Sequence, residues 1–267
     1  MTRESAGWVY AVVSDQVGEV PPDATTWTGE PVRLVRGSGL AAVVGSLPPD
    51  LTGEEQLQEH LCDPAWLERT IRAHHHVVTS FFRRTPTVPF RMGTVCRGDD
   101  RVRDLLAAQA DGLRAALATV AGRAEWGVQV YPGPAAGETA AAAGPAPAAA
   151  GARAADPARP GTAYLLRRRA ERQRREQVRA AAANAARELD HALAALAVAV
   201  HRPAPAVGGG SQATPLFQAS YLVDQDRGGE FVAQVRRLDE RLSQVRLRLT
   251  GPWPAYSFVT LTEEAVG

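Results

Sequence analysis

The sequence predicts an α+β protein built as two domains. Three observations carry that expectation. Short β-branched and aromatic runs bounded by turns alternate with longer segments of helical period; a stretch of almost pure Ala, Gly and Pro interrupts them once; and each flank keeps enough apolar side chains for a core of its own. The length of 267 residues, with 45% hydrophobic and 22% charged, fits one large domain or two small ones and excludes full disorder.

Trp8 to Val13 (WVYAVV) reads as a strand. Val32 to Arg36 and Leu40 to Val44 flank Gly37-Ser38-Gly39, which gives a hairpin. Thr52 and Glu55 match a capping box and start a short helix that ends before Pro64. From Pro64, with Asp63 as N-cap, a longer helix is expected to about Arg83, with Leu67, Ile71, His74, Val78, Phe81 and Phe82 near one face. Thr85 to Cys96 is strand-like, but Pro86 and Pro89 remove two donors, so it is expected to start irregularly or lie at an edge. Asp99 to Ala121 is expected to be one helix, and Trp126 to Tyr131 a strand that closes a domain at residues 1–131.

Pro132 to Gly161 offers no aromatic and no branched aliphatic residue to bury, and its prolines interrupt every run long enough to nucleate a helix, so residues 132–161 read as a linker. As flexible coil it would span roughly 30 Å. The second domain, 162–267, opens with a continuous helical signal from Thr162 to His201, about 60 Å long if unbroken. Its first half, Arg167 to Glu176 (RRRAERQRRE), is charged on every side and is expected to stand in solvent, whereas Leu189, Leu193, Leu196 and Val200 form an apolar stripe. A Gly-rich loop at 208–210, a strand from Phe217, a helix near Gly229 to Ser243, a strand from Val245 and the extended GPWPAYSFV segment complete the chain.

Composition narrows the chemistry. All 30 basic residues are arginine, so no side chain can form a Schiff base or serve as a P-loop lysine. Residues 1–131 carry 13 Arg against 16 acids and the remainder 17 against 13, so the net +1 conceals an acidic half and a basic half. Such a balance supplies no global field for nucleic acid or an anionic membrane. The longest apolar stretch, Ala192 to Val200, is about half of the ~20 residues that cross a bilayer, and a chain soluble in the cytoplasm is expected. Cys62 and Cys96 are far apart in sequence, which fits buried thiols in a reducing compartment.

His74-His75-His76 is the most conspicuous polar cluster. Three consecutive residues on a helix diverge by about 100° each and cannot close on one metal, so half-buried helix histidines are expected and no metal or cofactor. No GxSxG, HExxH or strand-to-helix GxGxxG occurs, and Asp99-Asp100 opens a helix, where carboxylates complement the dipole. These absences favour binding or assembly over catalysis. The arginine stretch at 167–175 has interleaved glutamates and no aromatics, which argues against specific nucleic-acid binding.

Two segments are distinctive as sequence: His74 to Leu106 (HHHVVTSFFRRTPTVPFRMGTVCRGDDRVRDLL) and Leu249 to Val259 (LTGPWPAYSFV), the latter preceded by FQASYLVDQD. With GTAYLLRRRAERQ after the linker, they resemble the gas vesicle protein GvpL/GvpF family, in matching order over nearly the whole chain. In that family an acidic residue commonly follows the paired histidines; His76 stands here. The resemblance implies a ferredoxin-like N-terminal domain and a C-terminal α+β domain with a long helix. It also implies a non-enzymatic accessory protein of gas vesicle formation, one that binds the hydrophobic shell protein and possible further accessory proteins, acts in nucleation and limits aggregation. Candidate partner-binding residues are Val88, Phe90 and Arg91 on the proline-notched strand, and Trp253, Tyr256 and Phe258 near the C-terminus. The plainer expectation is that these segments are internal, with Trp253 and Phe258 sealing the C-terminal domain, against the N-terminal one in one version, because exposed aromatics are costly. The competing function is a small-molecule sensor or enzyme with a cleft between the domains and Arg91 or the histidines as ligand contacts.

Overall fold

Strand β1, Ala6–Ser14, organises the first sheet. A computed structural model describes residues 6–48, 51, 59–60, 62–133, 160–204 and 215–259. The capping box at Thr52 and Glu55, most of the expected linker and the Gly-rich loop lie outside the described residues. Residues 6–13 are buried without alternation, because β1 is central and covered on both faces. It pairs antiparallel with β3 (Leu40–Ser46), with a register shift between Val9 and Ala11, and β3 pairs with β2 (Arg33–Gly37). The β2–β3 turn places Ser38 and Gly39 at φ 56° and 72°, the left-handed conformations a two-residue hairpin needs. On the other side of β1 lie β4 (Val88–Pro89) and β5 (Val95–Arg97), so the order is β2-β3-β1-β4 with β5 also on β1.

The proline-notched segment is thus two short strands, separated by a turn in which the Thr94 amide and hydroxyl both donate to the Arg91 carbonyl. The connection from β1 to β2 is an irregular loop with one bridge between Thr25 and Pro31. Helix α1, Pro64–Phe82, begins as its sequence requires: Asp63 is extended and accepts the Ala65 amide, with Pro64 in the first turn. Trp66, His74, Val77, Val78 and Phe81 form its buried face. The expected helix from Asp99 to Ala121 is two, α2 (Asp99–Ala108) and α3 (Ala110–Val120). Gln109 still donates to the Leu105 carbonyl and accepts from the Leu113 amide, so the break is a kink.

The second sheet has the order β7-β8-β6-β9, from β6 (Arg123–Pro132), β7 (Ala199–His201), β8 (Phe217–Asp224) and β9 (Val245–Trp253). Helix α4, Pro160–Ala194, stops seven residues short of the expected His201. Val198 and Val200 are β-branched and alternate with alanine, and pairing with β8 outweighs the helical signal there. Leu189 and Leu193 are fully buried, while Leu196 and Val200 are half-buried. Asp190 holds this end of α4: its carboxylate accepts the Tyr221 hydroxyl at 2.8 Å and the Arg202 guanidinium at 2.8 and 3.0 Å. Helix α5, Gly228–Arg241, packs Phe231, Val235 and Leu238 inward.

The chain divides into two compact units, one of Met1–Trp126, Leu222–Asp226 and Gly251–Gly267, the other of Gly127–Tyr221 and Arg227–Thr250. The sequence suggests boundaries at 131 and 162; the observed units are discontinuous, because the end of β8 and the residues from Gly251 onward group with the first unit.

Candidate functional site

The three histidines part company as helical geometry demands. His74 is buried beneath β1: the Trp8 indole donates to its Nδ1 at 3.2 Å and its Nε2 donates to the Phe90 carbonyl at 3.2 Å, which fixes the neutral Nε2–H tautomer. Burial pushes its pKa down to about 4, against the opposing effect of the Phe90 carbonyl. His76 donates from Nε2 to the Asp23 carbonyl at 2.8 Å, tying α1 to the β1–β2 loop. The Ser80 hydroxyl completes that tie and holds the Asp23 carboxyl below its ordinary range. Among the described residues no three metal-capable side chains converge.

His75 points elsewhere, to the C-terminal segment. Its ring meets Trp253 edge-on at 5.0 Å and lies 6.1 Å from Tyr256. Burial shifts the His75 pKa downward, and its Nε2 lies 3.4 Å from the Thr79 hydroxyl. Burial, with the Glu125 carboxylate adding, raises the Tyr256 phenol.

Two features bring the segment there. Gly251 has φ 122°, and a Cβ on it would lie 2.7 Å from the Glu125 carbonyl oxygen, so only glycine fits this close approach to β6. Six residues on, Glu125 clamps the chain: its buried carboxylate accepts the Ser257 amide on Oε2 at 2.8 Å and the Ser257 hydroxyl on Oε1 at 2.6 Å. Ala255 is buried between these anchors, and a single 3₁₀ turn, Tyr256–Phe258, is centred on the second. Trp253 and Tyr256 are left 41% and 38% exposed, and Ile71, one turn before His75 on α1, is 48% exposed. Trp253 and Tyr256 thus stand part-exposed against His75, and Ile71 is exposed on the same helix one turn away.

The candidate residues therefore separate. Val88 and Phe90 are inside, at 0% and 4% exposure. The strand is no free edge at Phe90, whose amide donates to the Tyr10 carbonyl while its carbonyl accepts from His74. Arg91 is exposed in the turn that follows, and Phe258 is half-buried. The expected seal by Trp253 and Phe258 is only partial. Cys96 is buried, which raises its thiol pKa, but Cys62 is exposed, against the expectation of two buried thiols. Glu125 escaped the sequence reading; one carboxylate inside the strand-like RAEWGV was its only trace.

The family model described as gas vesicle synthesis protein GvpL/GvpF matches residues 6–260. The chain belongs to the GvpL/GvpF family. Gas vesicle protein L of Streptomyces sp. (strain CB03234) is 38% identical over 268 residues, an alignment that takes in 100% of this chain and 97% of that protein. The crystal structure of GvpF from Anabaena sp. PCC7120 superposes with a TM-score of 0.64 at 16% identity, covering 97% of this chain and 98% of that one. GvpF from Microcystis aeruginosa gives 0.64 at 17% identity, covering 96% and 100%. These two likenesses establish a shared α+β fold. Membership of the GvpL/GvpF family supports a role in gas vesicle formation, and among the described residues no helix is long and apolar enough to cross a membrane.

Proposed function

We propose that this chain is an accessory protein of gas vesicle assembly that binds the hydrophobic shell protein, acts during nucleation of the shell and limits aggregation of unassembled subunits. It does so in the cytoplasm and at the growing vesicle, without enzymatic activity. The observation that carries this reading is the part-exposed pair Trp253 and Tyr256 against His75, on a segment held by the close approach of Gly251 and by the Glu125 clamp. A subunit that must repel water on its gas face exposes apolar surface until it assembles, and such surface aggregates unless covered. Trp and Tyr supply large apolar area at low cost in side-chain freedom, and a partner that covers the exposed 41% and 38% of these two gains about 25 cal/mol for each Å² of apolar surface buried. Because the clamp fixes the backbone beneath them, little ordering is left for a partner to impose.

Co-expression with the shell protein tests the reading. The chain should keep the shell protein in the supernatant as a stoichiometric complex, and Trp253→Ala combined with Tyr256→Ala should return most of it to the pellet. Shell protein that pellets equally with and without the chain would refute the proposal.

A further inference from the structure

We propose that the first half of α4 is a docking arm for an acidic polypeptide segment of a partner protein. Arg168 to Gln173 are six consecutive exposed residues. At about 100° per residue six positions go right round a helix, so this stretch leans on nothing among the described residues. A helix that is polar on all sides is marginal in water without many side-chain pairs or a partner. Among the described residues Arg168, Arg169 and Arg172 enter no ion pair. Arg168 lies over the Tyr164 ring, 5.7 Å from its centre. Tyr164, Arg168, Arg172 and Glu176 follow at one-turn intervals with Arg169 and Gln173 as the next row, so these six exposed residues lie along one side of the helix over about 18 Å.

Charge complementarity selects the occupant. Arg167 to Glu176 holds six arginines and two glutamates. Guanidinium forks pair bidentately with carboxylates, and arginines one turn apart match acidic residues repeated at one-turn spacing on a facing helix. A duplex is disfavoured, because it presents a negative charge about every 1.7 Å of its axis and Glu171 and Glu176 would face it. A second copy offers few unengaged acids on α2 and α3: Asp99, Asp100, Asp104 and Asp111 already pair with Arg33, Arg103, Arg101 and Arg114. This inference is independent of the aromatic pair.

The test uses the full chain at about 150 mM salt, where loosely held surface charges are largely screened. Probes are a labelled alanine-based helical peptide with Glu at every fourth position, its Gln counterpart, and a DNA duplex. The Glu peptide should bind at least about tenfold more tightly than either control. It should slow amide exchange at residues 164–177, and R168Q/R169Q/R172Q should weaken it at least tenfold while exchange elsewhere in the chain stays unchanged. Equal binding by parent and triple variant, tighter binding of the duplex, or arginine-dependent self-association without peptide binding would each overturn the proposal.

Discussion

His74 sits in the core with both ring nitrogens committed, and that position has a pH consequence. Its folded pKa of about 4 lies below the ordinary value of 6.5, so between those two pH values the unfolded chain holds a proton that the folded chain does not. Stability from this group is therefore complete above pH 6.5 and falls as pH drops toward 4, by about 3 kcal/mol in all. His74→Gln can still accept from Trp8 and donate to Phe90, and it should remove this part of the acid sensitivity. Denaturant midpoints at several pH values check it; identical slopes in parent and variant between pH 6.5 and 4 would contradict the assignment. Three neighbouring histidines with three fates follow from helical geometry alone, which made their divergence legible in HHH. Their partners were not legible, because Trp8 and Phe90 lie 66 and 16 residues away and the sheet alone brings them together.

The segment from Gly251 to Phe258 is an element with little regular structure and two fixed points. Glu125→Ala should leave the Ser257 amide and hydroxyl without this carboxylate, at a cost of about 2–3 kcal/mol for hydrogen bonds to a charged group. It should also raise amide exchange at residues 253–258 above that of β1; equal protection in parent and variant would show that the clamp does not hold the segment. Legibility at this scale tracked local chemistry. Asp63-Pro64 announced the start of α1, and Gly37-Ser38-Gly39 the β2–β3 turn, because caps and tight turns are decided by the residues within them. The end of α4 and the split of β4 from β5 were decided by pairing with β8 and β1, information that no local window holds. Val88 and Phe90 read as candidates because prolines mark edges; in the structure the central strand and His74 take up Phe90's backbone groups.

For the whole molecule, the α+β class was visible in the order of short apolar runs and helical periods. The return of residues 251–259 to the first unit was not. Under the proposed function that return matters most, since it sets the part-exposed Trp253 and Tyr256 beside His75, one turn of α1 after the exposed Ile71. The proposed shielding role would need such a surface exposed and held rigid, and the Glu125 clamp on Ser257 would meet the second need. The arginine arm supplies a chemically different surface on the second unit, so loss of one should leave the other's binding intact. The most direct measurement is photo-crosslinking from a probe at position 253 of the full chain, co-expressed with the shell protein. The account predicts a covalent adduct with the shell protein from position 253 and none from buried position 88. Failure to crosslink at 253, while the complex still forms, would contradict it.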